Sequence, residues 1–190
     1  TASSKLLGDE AMVSLTFATA MSDLTCSRER PLPAPTVENF SYARPAEVSV
    51  THLDLDLAVD FDRRVITGRA RFDLDNKTGA SAVYFDTWGL KIHDVTLEGG
   101  KPTRWSLGDQ LELIGPPLTV AIGPDDSQVI VRYETTEDAR GLQWLSPQQT
   151  AGKQYPYLYS QSQSLHAPSW VPCPDTPAER VTYSARVSVP

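Results

Sequence analysis

From Glu47 onward, apolar and polar positions alternate with a period of two, the spacing of half-buried strands. Leu53, Leu55, Leu57, Val59 and Phe61 share one face of a first strand, and Asp54, Asp56 and Asp60 share the other. A polar turn follows at Asp62-Arg63-Arg64. Alternation then resumes with Ile66, Gly68, Ala70, Phe72 and Leu74 opposite Thr67, Arg69, Arg71 and Asp73. One antiparallel register, in which facing residue numbers sum to 125, satisfies both faces. It sets Phe72 against Leu53, Ala70 against Leu55 and Ile66 against Val59 on the buried side. On the wet side it sets Arg71 against Asp54 and Arg69 against Asp56. Apolar matching and charge matching select the same pairing, as they should in an antiparallel pair. The opposed charges read as exposed cross-strand ion pairs, each worth well under ~1 kcal/mol, rather than as a ligand site.

Further short strands are expected at 82–85, 90–97, 111–114, 118–122 and 129–133. Gly99-Gly100, Gly108-Asp109 and Pro124-Asp125-Asp126 supply turn chemistry between them. No long window after residue 46 carries helical periodicity. The predicted body, residues 47–190, is therefore all-β: a twisted multi-sheet domain, sandwich or saddle-like, of mostly antiparallel strands. Val181, Tyr183, Ala185, Val187 and Val189 alternate with polar residues in a last strand, and the domain is expected to continue beyond Pro190. Residues 1–46, with Pro31, Pro33, Pro35 and Pro45 among small and polar neighbours, read as an irregular, extended leader.

Charge and composition narrow the partners. A net charge of −7 argues against nucleic acid, which needs a basic surface. No apolar run approaches the roughly 18 residues of a membrane span. Met12 to Met21 is mildly apolar, but Asp9 and Glu10 give the preceding stretch the wrong charge for a signal peptide. Export stays open on this reading, and the cytoplasm is favoured. Cys26 and Cys173 lie far apart and are expected as free thiols. His52, His93 and His166 form no HxH or HxxxH pair, so a zinc site built by this chain alone is not expected.

Residues 140–180 fit neither simple strand nor simple turn. Being rich in Gln, Tyr, Trp and Pro, the stretch must be ordered by tertiary contacts, and it is either a packed structural loop or a binding loop. Gly141-Leu142-Gln143-Trp144-Leu145 followed by Ser146-Pro147-Gln148-Gln149-Thr150-Ala151-Gly152-Lys153 resembles the LQWL(T/S)PxQT(A/S)GK run of leukotriene A4 hydrolases and related bacterial enzymes of the M1 family of zinc aminopeptidases. Pro156 to His166 (PYLYSQSQSLH) is similar to their PYL(F/Y)SQxQ(A/S)xH segment, and Pro172 to Pro177 (PCPDTP) to their PCxDTP turn. Asp60-Phe61, Arg64 and Thr67-Gly68 resemble their DFxxRxxTG hairpin. The likeness spans roughly residues 47–190 and leaves the leader outside it. Several motifs in one order carry far more weight than any one of them.

The resemblance implies an N-terminal β domain that packs on its own thermolysin-like catalytic domain. That second domain would supply GxMEN, HExxH and the zinc; this sequence contains no HExxH. Alone, the chain is expected to hold no zinc and to turn over no substrate. The resemblance also implies that Gln163, the second glutamine of SQxQ, faces the cleft and holds the free N-terminus of a peptide substrate. Gln161, Ser162 and Ser164 would line the same wall. A neutral amide oxygen suits that task, because it accepts from an ammonium without adding charge. Epoxide opening by the full-length protein is a further activity associated with animal members. One departure is Pro168, which stands two positions after His166 where the family usually has a basic residue. Pro174 likewise replaces a common glutamine. The competing reading is a stand-alone β-sandwich module that binds carbohydrate or protein through Trp144, Tyr155, Tyr157 and Tyr159.

Overall fold

The hairpin forms in the expected register. In a computed structural model describing residues 31–34, 36, 40–111 and 113–190, β1 (Val48–Asp60) and β2 (Val65–Asn76) pair Leu53 with Phe72, Leu55 with Ala70 and Val59 with Ile66. The register shifts by one residue at Thr51, a bulge beyond which Val50 faces Leu74. Charge pairing differs in detail from expectation. Arg71 and Asp54 are opposite along the backbone, yet Arg69 Nη1 approaches Asp54 Oδ1 at 3.8 Å and Arg71 Nε approaches Asp73 Oδ1 at 3.7 Å. Strand twist brings the diagonal Asp54 within reach of Arg69, whereas Asp73 is two residues from Arg71 on its own strand. The Ser184 hydroxyl also donates to Asp54 Oδ2 at 2.7 Å, and this bond, ahead of the nearby arginines, holds the Asp54 carboxyl below its usual range.

Eight more strands follow: β3 (Ala82–Asp86), β4 (Lys91–Leu97), β5 (Trp105–Leu107), β6 (Pro117–Ala121), β7 (Gln128–Glu134), β8 (Leu142–Leu145), β9 (Tyr157–Ser160) and β10 (Thr182–Ser188). They make a five-stranded sheet ordered β10-β1-β2-β7-β4, a three-stranded sheet β3-β6-β5 and the hairpin β8-β9. Every pairing is antiparallel except β10 beside β1. Among the described residues there is no α-helix, only three short 3-10 turns. No strand includes Leu111, Leu113 or Ile114, where one was expected at 111–114: Leu111 N–H donates to Ile114 O, and the chain bends at Leu113 and Ile114 ahead of Gly115-Pro116.

The two larger sheets face each other across one core. Phe72 on β2 and Phe85 on β3 are both fully buried, with ring centroids 4.3 Å apart. Val95, Leu118, Val120, Val129, Val131 and Tyr133 fill the space around them. Gly68 makes room for Tyr133, whose ring carbon would lie 2.3 Å from any Cβ at that position. Cys173 carries a free thiol packed against this core, whereas Cys26 and the stretch from Met12 to Met21 lie outside the described residues.

Candidate functional site

The β8-β9 hairpin pairs Leu142 with Ser160 and Leu145 with Tyr157. One bond beyond the strands, Gln161 N–H donates to Gly141 O at 2.8 Å, so the SQSQ segment leaves the hairpin already fixed to it. Gln161 then folds back: its Oε1 accepts the Gln163 N–H at 3.2 Å. The Ser162 hydroxyl accepts the Trp170 Nε1–H at 3.1 Å, and Ser162 O accepts the His166 N–H. Gln161, Gln163 and Ser164 are exposed, and Ser162 is half-buried. Among the described residues the Gln163 side-chain amide has no hydrogen-bond partner.

The segment's anchors come from distant parts of the chain. Gly141 N–H donates to Ser169 Oγ at 2.8 Å, and Ser169 Oγ–H donates to His166 O at 2.7 Å. A Cβ on residue 141 would lie 2.6 Å from His166 O and 2.9 Å from the Trp170 ring, so only glycine allows this approach. Pro168 fits where it stands. It sits in the first turn of the 3-10 segment Ala167–Ser169, where no N–H is required, and its carbonyl accepts the Trp88 N–H at 2.9 Å.

Below this lies a buried acid pair. Asp86, at the end of β3, accepts from the Ser41 hydroxyl at 2.6 Å, Tyr42 N–H at 2.9 Å and Asp175 N–H at 2.8 Å. Its backbone bonds Cys173 in both directions. Asp175 Oδ2 is buried with no hydrogen-bond partner. Burial first, then the negative charge of Asp86, push Asp175 up to about 6, against the opposing influence of His166. Burial also raises Asp86, over the lowering effect of its three donors. The folded domain thus holds these protons more tightly than the unfolded chain. The associated stability is present below about pH 4 and is lost as pH rises through about 6. Asp54 and Glu134, held low by Ser184 and Arg63, act in the opposite sense, their contribution being lost as pH falls. We therefore expect the unfolding free energy, read from urea curves, to rise between pH 7 and pH 5 by about 1 kcal/mol once solvent screening of the half-buried Asp175 is allowed for. Asp175→Asn should flatten that rise, and a midpoint that falls steadily from pH 7 to 5 would show that other groups dominate.

An open apolar groove of about 690 Å³ runs between the β1 face (Leu55, Leu57), β10 (Tyr183, Val187), Leu158 and Trp170. Tyr183 and Val187 are exposed in it at 75% and 55%, high values for residues on the apolar face of a strand. Trp144 is half-buried and packs edge-on against Phe61, with centroids 5.6 Å apart. Tyr157 and Tyr159 lie side by side, and the Tyr159 hydroxyl donates to Gln143 Oε1. Among the described residues, no three His, Cys, Asp or Glu side chains converge to hold a metal ion, and no helix is long and apolar enough to cross a membrane.

Comparison with known proteins supplies the context for this geometry. Residues 49–190 match the family described as "Peptidase M1 N-terminal domain". Leucine aminopeptidase 2 of Yarrowia lipolytica is 34% identical over 155 residues, 80% of this chain and 23% of that protein. Leukotriene A-4 hydrolase of Xenopus laevis is 35% identical over 156 residues, 79% of this chain and 26% of that protein. The structure of yeast LTA4 hydrolase in complex with bestatin superposes with a TM-score of 0.75 at 29% identity, covering 90% of this chain and 27% of that one. An M1 zinc metallopeptidase from Deinococcus radiodurans shares the fold, with a TM-score of 0.57 at 19% identity over 78% of this chain and 33% of that one. The chain thus spans about a quarter of the length of the curated relatives it matches.

Proposed function

This chain belongs to the M1 peptidase family as an N-terminal domain, and from that premise we propose that it forms one wall of the substrate cleft of a zinc aminopeptidase. In this reading Gln163 receives the free amino group of the peptide to be shortened, and Gln161, Ser162 and Ser164 shape the wall around it. One asymmetry carries the assignment. The Gln161 amide oxygen is taken up by the Gln163 N–H, whereas the Gln163 amide is exposed and uncommitted. An uncommitted amide oxygen accepts from an ammonium and so fixes the position of the first residue, which limits cleavage to the peptide's end. The same preference for an ammonium favours peptide hydrolysis over epoxide opening.

Zinc would polarise the scissile carbonyl and activate water. In this reading the metal belongs to a catalytic domain outside this chain. The apolar groove along β1 and β10 gives the domain a surface on which the rest of the full-length protein can pack. Exposed apolar area of that extent on one face is characteristic of an interface.

The test is Gln163→Ala in the full-length protein. Loss of a hydrogen bond to a charged group should lower kcat/KM for free-amine peptides by roughly tenfold to a hundredfold. The fold should be unaffected, because the side chain is exposed. Acetylating the substrate amine should erase the difference between wild type and variant. A loss on Gln161→Ala with none on Gln163→Ala would reverse the assignment, and no effect of either would make the loop structural.

A further inference from the structure

Gly141 holds both ends of the segment that carries Gln163. Its carbonyl accepts the Gln161 N–H at 2.8 Å, and its N–H donates to Ser169 Oγ, which in turn donates to His166 O. Between those ends the backbone closes on itself, with His166 N–H donating to Ser162 O at 2.9 Å. Gln163 stands inside this loop. Its N–H reaches Gln161 Oε1 at 3.2 Å, a contact between exposed groups that water can replace.

Trp170 supplies a firmer tether. Its Nε1–H donates to Ser162 Oγ at 3.1 Å, one residue before Gln163, in a partly buried bond. The indole has little freedom to point elsewhere. A Cβ on residue 141 would lie 2.9 Å from Trp170 Cδ1, so the ring rests on the bare Gly141 backbone. The ring also lines the apolar groove, together with Leu55 and Leu158. Trp170 N–H and Val171 N–H both donate to Ala167 O, which fixes the backbone from which the ring projects. Any aromatic ring would fill the groove wall; only the indole N–H reaches the substrate segment.

We propose that Trp170 is a positioning residue: through Ser162 it fixes the point from which Gln163 reaches the amino group of the substrate. This rests on the amine-binding reading above. A glutamine amide sits at the end of several rotatable bonds, and it recognises an ammonium only where its backbone origin is held. A misplacement of about 1 Å is enough to forfeit such a contact.

The experiment uses the full-length protein and a free-amine tripeptide. Trp170→Phe keeps an aromatic ring in the groove and removes the N–H donor. It should lower kcat/KM by about threefold to tenfold, the worth of one neutral hydrogen bond, and by no more than Gln163→Ala does. Ser162→Ala should cause the same loss, and the double variant no more than either alone. In a Gln163→Ala background, Trp170→Phe should change nothing further, a result that a merely structural contribution would not give. A loss that persists in full in that background, additive losses for Trp170→Phe and Ser162→Ala, or no loss on Trp170→Phe would overturn the proposal. Full activity of Gln163→Ala would sink the amine reading itself. Loss on Gln163→Ala with none on Trp170→Phe would sink only the positioning role.

Discussion

Phe72→Ala should lower the unfolding free energy by about 3–5 kcal/mol, the range for emptying a large aromatic from a core. Phe72 has no exposed surface and sits mid-strand on β2, flanked by β1 and β7. Its ring meets Phe85 of the opposite sheet at 4.3 Å. The void would therefore open between two sheets, each tied by its own hydrogen-bond ladder, and neither can collapse into it without breaking strand pairs. Phe72→Leu refills most of the volume and should cost much less. Urea unfolding of the two variants, fitted to a two-state transition, tests this. A loss under about 1.5 kcal/mol for the alanine variant would mean that the sheets close over the gap and that the Phe72–Phe85 contact is not what joins them.

That contact connects residues 13 positions apart, on two strands that the sequence had already located, one by alternation and the other as a short apolar run at 82–85. Where a strand has one wet face, sequence shows both the strand and its register, and the Leu53–Phe72 pairing was legible for that reason. Trp105–Leu107 is too short to show a period, and Leu142–Leu145 and Tyr157–Ser160 lie within loop-like composition, so β5, β8 and β9 were not legible. Leu111, Leu113 and Ile114 are apolar, yet they belong to no strand. Gly115 just after them lies so close to Thr87 that an added Cβ would fall 1.9 Å from the carbonyl oxygen, and Leu111 and Leu113 remain exposed. Close backbone approach of that kind is set by tertiary packing and leaves no local pattern.

The candidate site divides in the same way. The SQSQ motif was readable through its resemblance to a family, but its supports were not. Gly141 reaches Ser169 across 28 positions, and Trp170 reaches Ser162 across 8. A lone serine and a lone tryptophan carry no signal until the fold joins them. Asp86 was likewise silent: in sequence it is one polar residue closing the apolar run Ala82–Phe85, like the end of many strands.

Asp86→Ala is expected to cost about 3 kcal/mol at pH 7, despite removing a carboxylate that burial disfavours. Its oxygens hold the Ser41 hydroxyl, the Tyr42 N–H and the Asp175 N–H. Ser41 and Tyr42 are almost wholly buried, so at least two of these donors would be stranded away from water. Stranded donors cost about 1–3 kcal/mol each, and two or more of them outweigh the relief of taking one carboxylate out of an apolar setting. Asp86→Asn keeps one acceptor oxygen but turns an NH2 group toward a donor, so its cost should fall between alanine and wild type. The damage should also be local. The Cys173 backbone bonds to Asp86 do not involve the side chain and should survive, while the Tyr42 and Asp175 amides lose their acceptor. Hydrogen exchange should accordingly speed up at Tyr42 and Asp175 well before it does in β2 or β7. Because Asp175 would no longer face a neighbouring negative charge, its carboxyl should titrate lower in the variant than the value of about 6 it has now. Uniformly faster exchange across the sheets, with Asp175 unshifted, would mean that Asp86 serves the core as a whole rather than pinning residues 41–43 and the 172–177 turn to the end of β3.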